Sequence, residues 1–205
     1  MTFINLVKKI EKRIKLESPE LRYRIKDFIN DAIADFIRIY NWRYVVKAAT
    51  FTTDDSGSYA LSTIIGTDPF YGELELIRDG KGDTQKYFRK VSYQEWVRST
   101  TKVRLWSIYD DTLYLLGDNE DLTFFYITPG NPYPLSADAD ENLVTANYAD
   151  IIEQWGLVNY YIWAGDDESV KVEEGVLNRK ISLQKGKENR DDKQGQLFRI
   201  NTNNR

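Results

Sequence analysis

Four acidic clusters hold the side chains best suited to chemistry: Asp110-Asp111, Asp118-Asn119-Glu120-Asp121, Asp138-Ala139-Asp140-Glu141 and Asp166-Asp167-Glu168. Carboxylates so grouped are ligands for Mg²⁺ or Ca²⁺, but none matches the calcium loop, with its glycine sixth and glutamate twelfth. All four fall at turns or helix starts, where Asp is favoured on backbone grounds alone. A pair of carboxylates could hydrolyse a glycoside, yet nothing in the spacing singles out two of the 32 acids. Gly80-Lys81-Gly82-Asp83-Thr84 has the ingredients of a phosphate loop without its spacing, and reads as a turn between strands. Histidine and cysteine are absent, which removes the usual general base, the usual zinc ligands and every thiol nucleophile. The expectation is a protein that is not an enzyme, with no catalytic, cofactor-binding or metal-ligating residue.

Charge is segregated along the 205 residues. Residues 1–50 carry 11 Lys/Arg against 6 Asp/Glu, residues 51–169 carry 8 against 21, and residues 170–205 carry 9 against 5. Lys8, Lys9, Lys12, Arg13 and Lys15 could meet nucleic acid, but Glu11 and Glu17 intervene and no stacking platform accompanies them. A solvated or subunit-facing helix surface is the plainer reading. The aromatics Trp42, Tyr44, Trp96, Trp106, Tyr114, Phe124, Phe125, Tyr126, Trp155 and Trp163 are core residues by default. Their number exceeds what a small β unit buries, so some are expected to meet a partner.

No apolar stretch approaches the roughly 18 residues of a membrane span. In Met1–Lys9 the charges follow a short apolar run, the reverse of a signal peptide, so a soluble product of the cytoplasm is expected.

The elements that would position these residues follow from periodicity. Phe3, Leu6, Val7, Ile10 and Ile14 recur at helical spacing. Ser18-Pro19 then caps a second helix bearing Leu21, Ile25, Phe28, Ile29, Ala32, Ile33, Phe36 and Ile37, which stops near Tyr40-Asn41. From Trp42 the period changes to that of strands. Trp42–Thr53 and Tyr59-Ala60-Leu61 read as a hairpin around Asp54-Asp55-Ser56-Gly57, and Glu73–Arg78 as a strand. Ser92-Tyr93-Gln94-Glu95 matches a capping box. Arg104–Tyr109, Thr112–Leu116 and Leu122–Thr128 read as an antiparallel meander, followed by the stiff connector Pro129–Pro134. Helical pattern resumes at Tyr148, breaks at Gly165-Asp166-Asp167 and runs on through Val170, Leu177, Ile181 and Gln184. The expected class is α+β, mainly helical: residues 1–41 and 143–186 form a helical bundle, 42–134 a β-rich insert and 187–205 an extended tail, one domain overall.

This order, with helix Ile29–Ile37 running into Tyr40-Asn41-Trp42-Arg43-Tyr44, then Ala48–Thr53, Ser56-Gly57-Ser58 and Tyr59-Ala60-Leu61, resembles the head-to-tail adaptor (connector) proteins of tailed bacteriophages. Leu113-Tyr114-Leu115, the strand ending in Thr128-Pro129 and the closing helix pair are similar too. One departure is Leu61–Pro69, which is longer than the family's usual turn and lacks its early proline. The resemblance implies a structural virion protein that docks on the portal ring, extends the DNA channel toward the tail and assembles as a ring of twelve on a helical bundle. Its implied partners are the portal protein and downstream tail or neck proteins. DNA would pass through without specific binding, with no membrane and no cofactor, in a virion neck assembled in the host cytoplasm. Other readings are a tail-completion or terminator protein and a carboxylate-based virion hydrolase. Basic ends and an acidic centre would give a ring subunit the two unlike faces that rotational closure needs. The portal-binding candidates are Arg190, Lys193, Leu197, Phe198, Arg199 and Ile200 in the basic C-terminal segment. The candidates to face the tail or a neighbour are Trp106, Tyr114 and Phe124.

Overall fold

The computed structural model describes residues 1–54, 56–78, 86–102, 104–116 and 121–194, with their side chains except those of 74–78, 86, 87 and 190–194. The Gly80–Thr84 segment therefore lies outside the described residues. The fold is α+β, mainly helical, and divides into two units: Met1–Arg43 with Pro132–Arg205, and Tyr44–Asn131.

In the helical unit, α1 (Phe3–Ile14) and α2 (Pro19–Arg38) bury the stripes their sequences advertise. Phe3, Leu6, Val7 and Ile10 of α1 and Ile25, Ile29, Ile33 and Phe36 of α2 are wholly buried. They close on α6 (Ala149–Ala164), which is apolar nearly all round and so occupies the centre, touching α1, α2 and α7 (Asp167–Gln194). Gly156 of α6 marks the tightest approach: a Cβ there would stand 2.9 Å from the Ile10 Cδ1.

Helix ends are closed by specific partners, because the first N–H and last C=O groups have none within the helix. Ser18 Oγ accepts from Leu21 N at 3.1 Å, with Pro19 in the first turn. For α1 the loop before α5 (Leu143–Asn147) does this work: Asp140 O accepts from Phe3 N (2.8 Å) and Asp138 O from Ile4 N (3.1 Å). Asn142 and Thr145 form a reciprocal capping box on α5. At the other end of α2, the Trp42 indole N–H donates to Phe36 O at 2.7 Å while its ring stacks on Phe36 at 4.2 Å.

In the β unit, β1 (Val46–Thr52), β8 (Asp121–Ile127), β3 (Gly72–Arg78) and β4 (Lys86–Tyr87) form one sheet in the order β1-β8-β3-β4. The second sheet runs β2-β7-β6-β5, from β2 (Ser58–Ala60), β7 (Thr112–Leu115), β6 (Leu105–Tyr109) and β5 (Arg89–Lys90). All pairings are antiparallel except β5 with β6. Leu61, at the start of the short α3 (Leu61–Ile65), joins Trp106, Leu113, Leu115, Leu122, Phe124 and Tyr126 in a core shared by both sheets.

Three local expectations change. The hairpin of 42–53 with 59–61 does not form: β1 pairs with β8 and β2 with β7, so the chain passes from one sheet to the other between Thr52 and Ser58. Only two strands of the expected meander pair, as β6 and β7 around Asp110-Asp111, whose positive φ values of 49° and 52° suit a two-residue hairpin turn. Leu122–Thr128 crosses instead to the other sheet. The reason is burial: Leu113 and Leu115 face Leu122, Phe124 and Tyr126 across the core, whereas a flat continuation would leave that face uncovered. Finally, α7 runs to Gln194, past residue 187 where extended chain is expected. Glu188 holds it there, accepting from Tyr148 Oη (2.6 Å), Arg43 N (3.0 Å) and Gln184 Nε2 (3.2 Å).

Candidate assembly surfaces

The acidic clusters have structural employment. Asp110 and Asp111 form the β6–β7 turn. Asp121 accepts from Thr52 Oγ1 at 2.7 Å, while residues 118–120 lie outside the described residues. Asp138 pairs with Lys26 at 2.7 Å, and Glu141 with the Met1 ammonium. Asp140 Oδ2 accepts from Ser136 N (2.7 Å) and Ala137 N (2.8 Å); these bonds hold its carboxyl pKa below the usual range. Asp166 opens α7, accepting from Ser169 Oγ (2.6 Å) and Ser169 N (3.1 Å), and its pKa is lowered by those bonds. Among the described residues no three acidic side chains converge as metal ligands would.

The basic face of α1 is partly spent inside the helical unit. Lys9 pairs with Glu153 (3.1 Å) and Arg13 with Glu173 (2.9 Å), while Arg13 also donates to the buried Gln154 (2.9 Å). Glu11, buried on α1, takes a two-pronged bond from Arg22 at 2.9 and 3.1 Å. That charge pairing raises the Arg22 pKa. Lys9 and Arg13 of the cationic stripe thus clamp α1 to α6 and α7, while its acid Glu11 ties it to α2.

Two sets of side chains are left facing outward. On the β unit, the short α4 (Tyr93–Arg98) sits on β6 and is capped by Ser92, whose Oγ accepts from Glu95 N at 3.1 Å. The Glu95 carboxylate turns to Arg89 (2.7 Å), leaving the capping box half made. This places Tyr93 flat on Tyr109 at 4.5 Å, with Tyr114 tilted against it at 4.8 Å and Trp96 5.4 Å from Tyr114. Lys102 Nζ lies 3.9 Å from the Trp96 ring centre, a cation–π contact. Tyr109 is 56% exposed, and the buried Trp96 Nε1 has no hydrogen-bond partner among the described residues. Desolvation and then Tyr114 raise the Tyr93 phenol pKa.

On the helical unit, α7 exposes Val172, Val176 and Leu183, while α6 exposes Ile162 and Trp163 beside α2. Large apolar side chains in such groups mark contact surfaces more often than isolated ones do.

Against these surfaces the expected site residues fall out unevenly. Trp106 and Phe124, expected to face a partner, are 1% and 0% exposed; they meet edge to face at 6.0 Å in the shared core. A second sheet packed on the first gives these aromatics a shared core, which one meander would not. Tyr114 is half-buried within the Tyr93–Trp96–Tyr109 cluster, whose other members were not singled out as site residues. Tyr109 and Tyr93 are distant in sequence and become neighbours only through the docking of α4 on β6. Arg190 and Lys193 lie in the last turns of α7, and Leu197, Phe198, Arg199 and Ile200 lie outside the described residues. No helix among the described residues is long and apolar enough to cross a membrane.

A family model described as "SU10 adaptor protein" matches residues 1–197, so it takes in both units and all of α7. No curated protein matches the chain.

Proposed function

We propose that this chain, which belongs to the SU10 adaptor protein family, is the head-to-tail adaptor of a tailed bacteriophage, a structural virion protein that docks on the portal ring and extends the DNA channel toward the tail. The carrying observation is the match over residues 1–197, which spans the helical and β units together. Twelve copies closing a ring in the virion neck, assembled in the host cytoplasm, complete the reading.

The side-chain arrangement supports a structural role. Among the described residues, Asp121, Asp140 and Asp166 are engaged in local hydrogen bonds and Asp138 in an ion pair with Lys26, as structural carboxylates are. Lys9 and Arg13 are engaged by Glu153 and Glu173, which weakens α1 as a phosphate-binding face and suits a channel through which DNA slides. Portal docking falls to the C-terminal segment with Arg190, Lys193, Leu197, Phe198, Arg199 and Ile200. The Tyr93–Trp96–Tyr109–Tyr114 cluster faces the next tail or neck protein.

The test is electron microscopy and co-sedimentation of the full chain with isolated portal rings. The full chain should decorate one pole of the ring, and truncation after Gln194, which leaves α7 whole, should abolish that. Phe198→Ala should weaken docking by roughly 1–3 kcal/mol, as a buried aromatic anchor does. A full chain that ignores portal rings overturns the adaptor reading; a truncated chain that still decorates them overturns the part assigned to Leu197, Phe198, Arg199 and Ile200.

A further inference from the structure

Two exposed rows on the helical unit match in spacing and oppose each other in charge. On α2, Asp27, Asp31 and Asp35 recur at every fourth position, which lines them along one side of the helix over about 12 Å. Beside them runs a groove of about 490 Å³, whose lining includes Phe28, Asn159, Ile162 and Trp163 together with Asp31, Asp35 and Arg38. Its wall is fixed: Asn159 Nδ2 donates to Phe28 O at 3.2 Å, and Trp163 lies 6.2 Å from the Phe28 ring with the Arg24 guanidinium 5.1 Å from its own. Trp163 is nonetheless 50% exposed. Asp35 has an exposed, loose pairing to Arg38 at 3.7 Å, and among the described residues Asp27 and Asp31 have no ion pair. Partial desolvation, then repulsion from Asp35 and Asp27, raises the Asp31 carboxyl pKa.

On α7, Arg179, Leu183 and Lys187 recur at the same fourfold spacing. Val172 and Val176 continue the line toward the N-terminus, within about 40° of arc of Leu183. Leu183 is 57% exposed and Val172 62%, while Leu177 and Glu188, on the opposite side of the helix, are buried. Among the described residues neither Arg179 nor Lys187 has an ion-pair partner. Each row therefore combines apolar surface with an excess of one charge: Asp27 and Asp31 beyond the Asp35–Arg38 pair on α2, Arg179 and Lys187 on α7.

We infer that the Arg179–Leu183–Lys187 row of one copy docks on the Asp27–Asp31–Asp35 row and the Trp163 groove of a second copy. The inference rests on the adaptor reading and deepens it by naming the contact between neighbouring subunits. The partner is a second copy because the complementary charge, at the same 12 Å or so of helix, is carried by the chain itself. The two rows are different surfaces, so the contact is head-to-tail and leaves one of each row open until rotation closes the oligomer. Leu183 and Val176 fill the groove, and the charges on either side set register.

Sedimentation velocity and native mass spectrometry of the full chain over a range of concentrations test this. One variant carries Arg179→Glu and Lys187→Glu; the other carries Asp27→Lys and Asp31→Lys. All four positions are on helix surfaces, and circular dichroism verifies that each variant is folded. Each variant alone should associate at least about tenfold more weakly than the wild type, because like charges then meet. An equimolar mixture of the two should restore association, since every junction again joins opposite rows. A wild type that is monomeric throughout, a variant that associates undiminished, or a mixture that stays dissociated overturns the pairing. Any of these with intact portal binding overturns the pairing alone; the predicted association without portal binding overturns the docking reading alone.

Discussion

Asn30 and the backbone of Leu135 exchange two hydrogen bonds: Asn30 Nδ2 donates to Leu135 O at 3.0 Å, and Leu135 N donates to Asn30 Oδ1 at 2.9 Å. One side-chain amide thereby imitates a strand neighbour and ties the segment following the Pro129–Pro134 connector to the middle of α2. Asn30→Asp keeps the shape but sets a carboxylate oxygen against the Leu135 carbonyl. It should cost roughly 1–3 kcal/mol at neutral pH in urea unfolding, and Asn30→Ala should cost a similar amount. Protonating the introduced carboxyl restores a donor, so the Asp variant should recover part of its deficit in acid while the Ala variant does not.

Gly156 and Ile10 should behave as a coupled pair. Gly156→Ala gains up to about 1 kcal/mol of helix propensity but puts a Cβ 2.9 Å from Ile10 Cδ1, so the single change should be neutral or destabilising. Ile10→Val deletes the obstructing methyl and alone should cost roughly 0.5–1.5 kcal/mol. Combined, the alanine should become stabilising relative to Ile10→Val. A double-mutant cycle of unfolding free energies with no coupling would refute the close contact.

The last turns of α7 should be part of the folded unit. Tyr148→Phe removes a 2.6 Å donor to the buried Glu188 carboxylate and should destabilise by about 1–3 kcal/mol. Truncation after Gly186 discards Glu188 altogether and should lower the thermal midpoint clearly, whereas truncation after Gln194 should leave it nearly unchanged. Equal midpoints for the two truncations would sink the idea.

Acid should act on Asp140 and Asp31 in opposite senses. The folded-state pKa of Asp140 is depressed by its bonds from Ser136 N and Ala137 N. Its contribution is therefore full above the unfolded value of about 4, and is lost as pH falls through the lower folded value. Asp31 is raised by desolvation and by Asp35 and Asp27, so its ionised form penalises the free subunit above that same region. Unfolding curves from pH 7 to pH 3 should show Asp140→Asn less stable at neutrality with a shallower acid loss. Asp31→Asn should be more stable than wild type at neutrality, with the gain vanishing in acid.

Local signals were legible in the sequence, and distant ones were not. Ser18-Pro19 and Ser92 announced helix starts because a cap bonds a backbone two or three residues away. The stripes of α1 and α2 were readable because one face of each is buried along its length. The partner of β8 was not readable: alternation at Leu122, Phe124 and Tyr126 gives a face, and only the opposing Trp106, Leu113 and Leu115 decide which sheet it covers. The continuation of α7 hid for a related reason. Its anchor is an acid, Glu188, made tolerable in the interior by Tyr148 and Arg43, far away in sequence. The outer line of Val172, Val176 and Leu183 could have been found on a helical wheel, as a second apolar arc beside that of Val170, Leu177 and Ile181. It was masked by the charges between.

The first and last strands of the β unit are hydrogen-bonded to each other, with Val46 opposite Ile127 and Thr128 N donating to Val45 O at 2.9 Å. In chain order, everything from Tyr44 to Asn131 is thus a single stem, closed on itself by its first and last strands. Such a stem can be lengthened, shortened or traded for another without rethreading a helix. Relatives could therefore diverge in the β unit to suit different neighbours, each keeping the same helical unit.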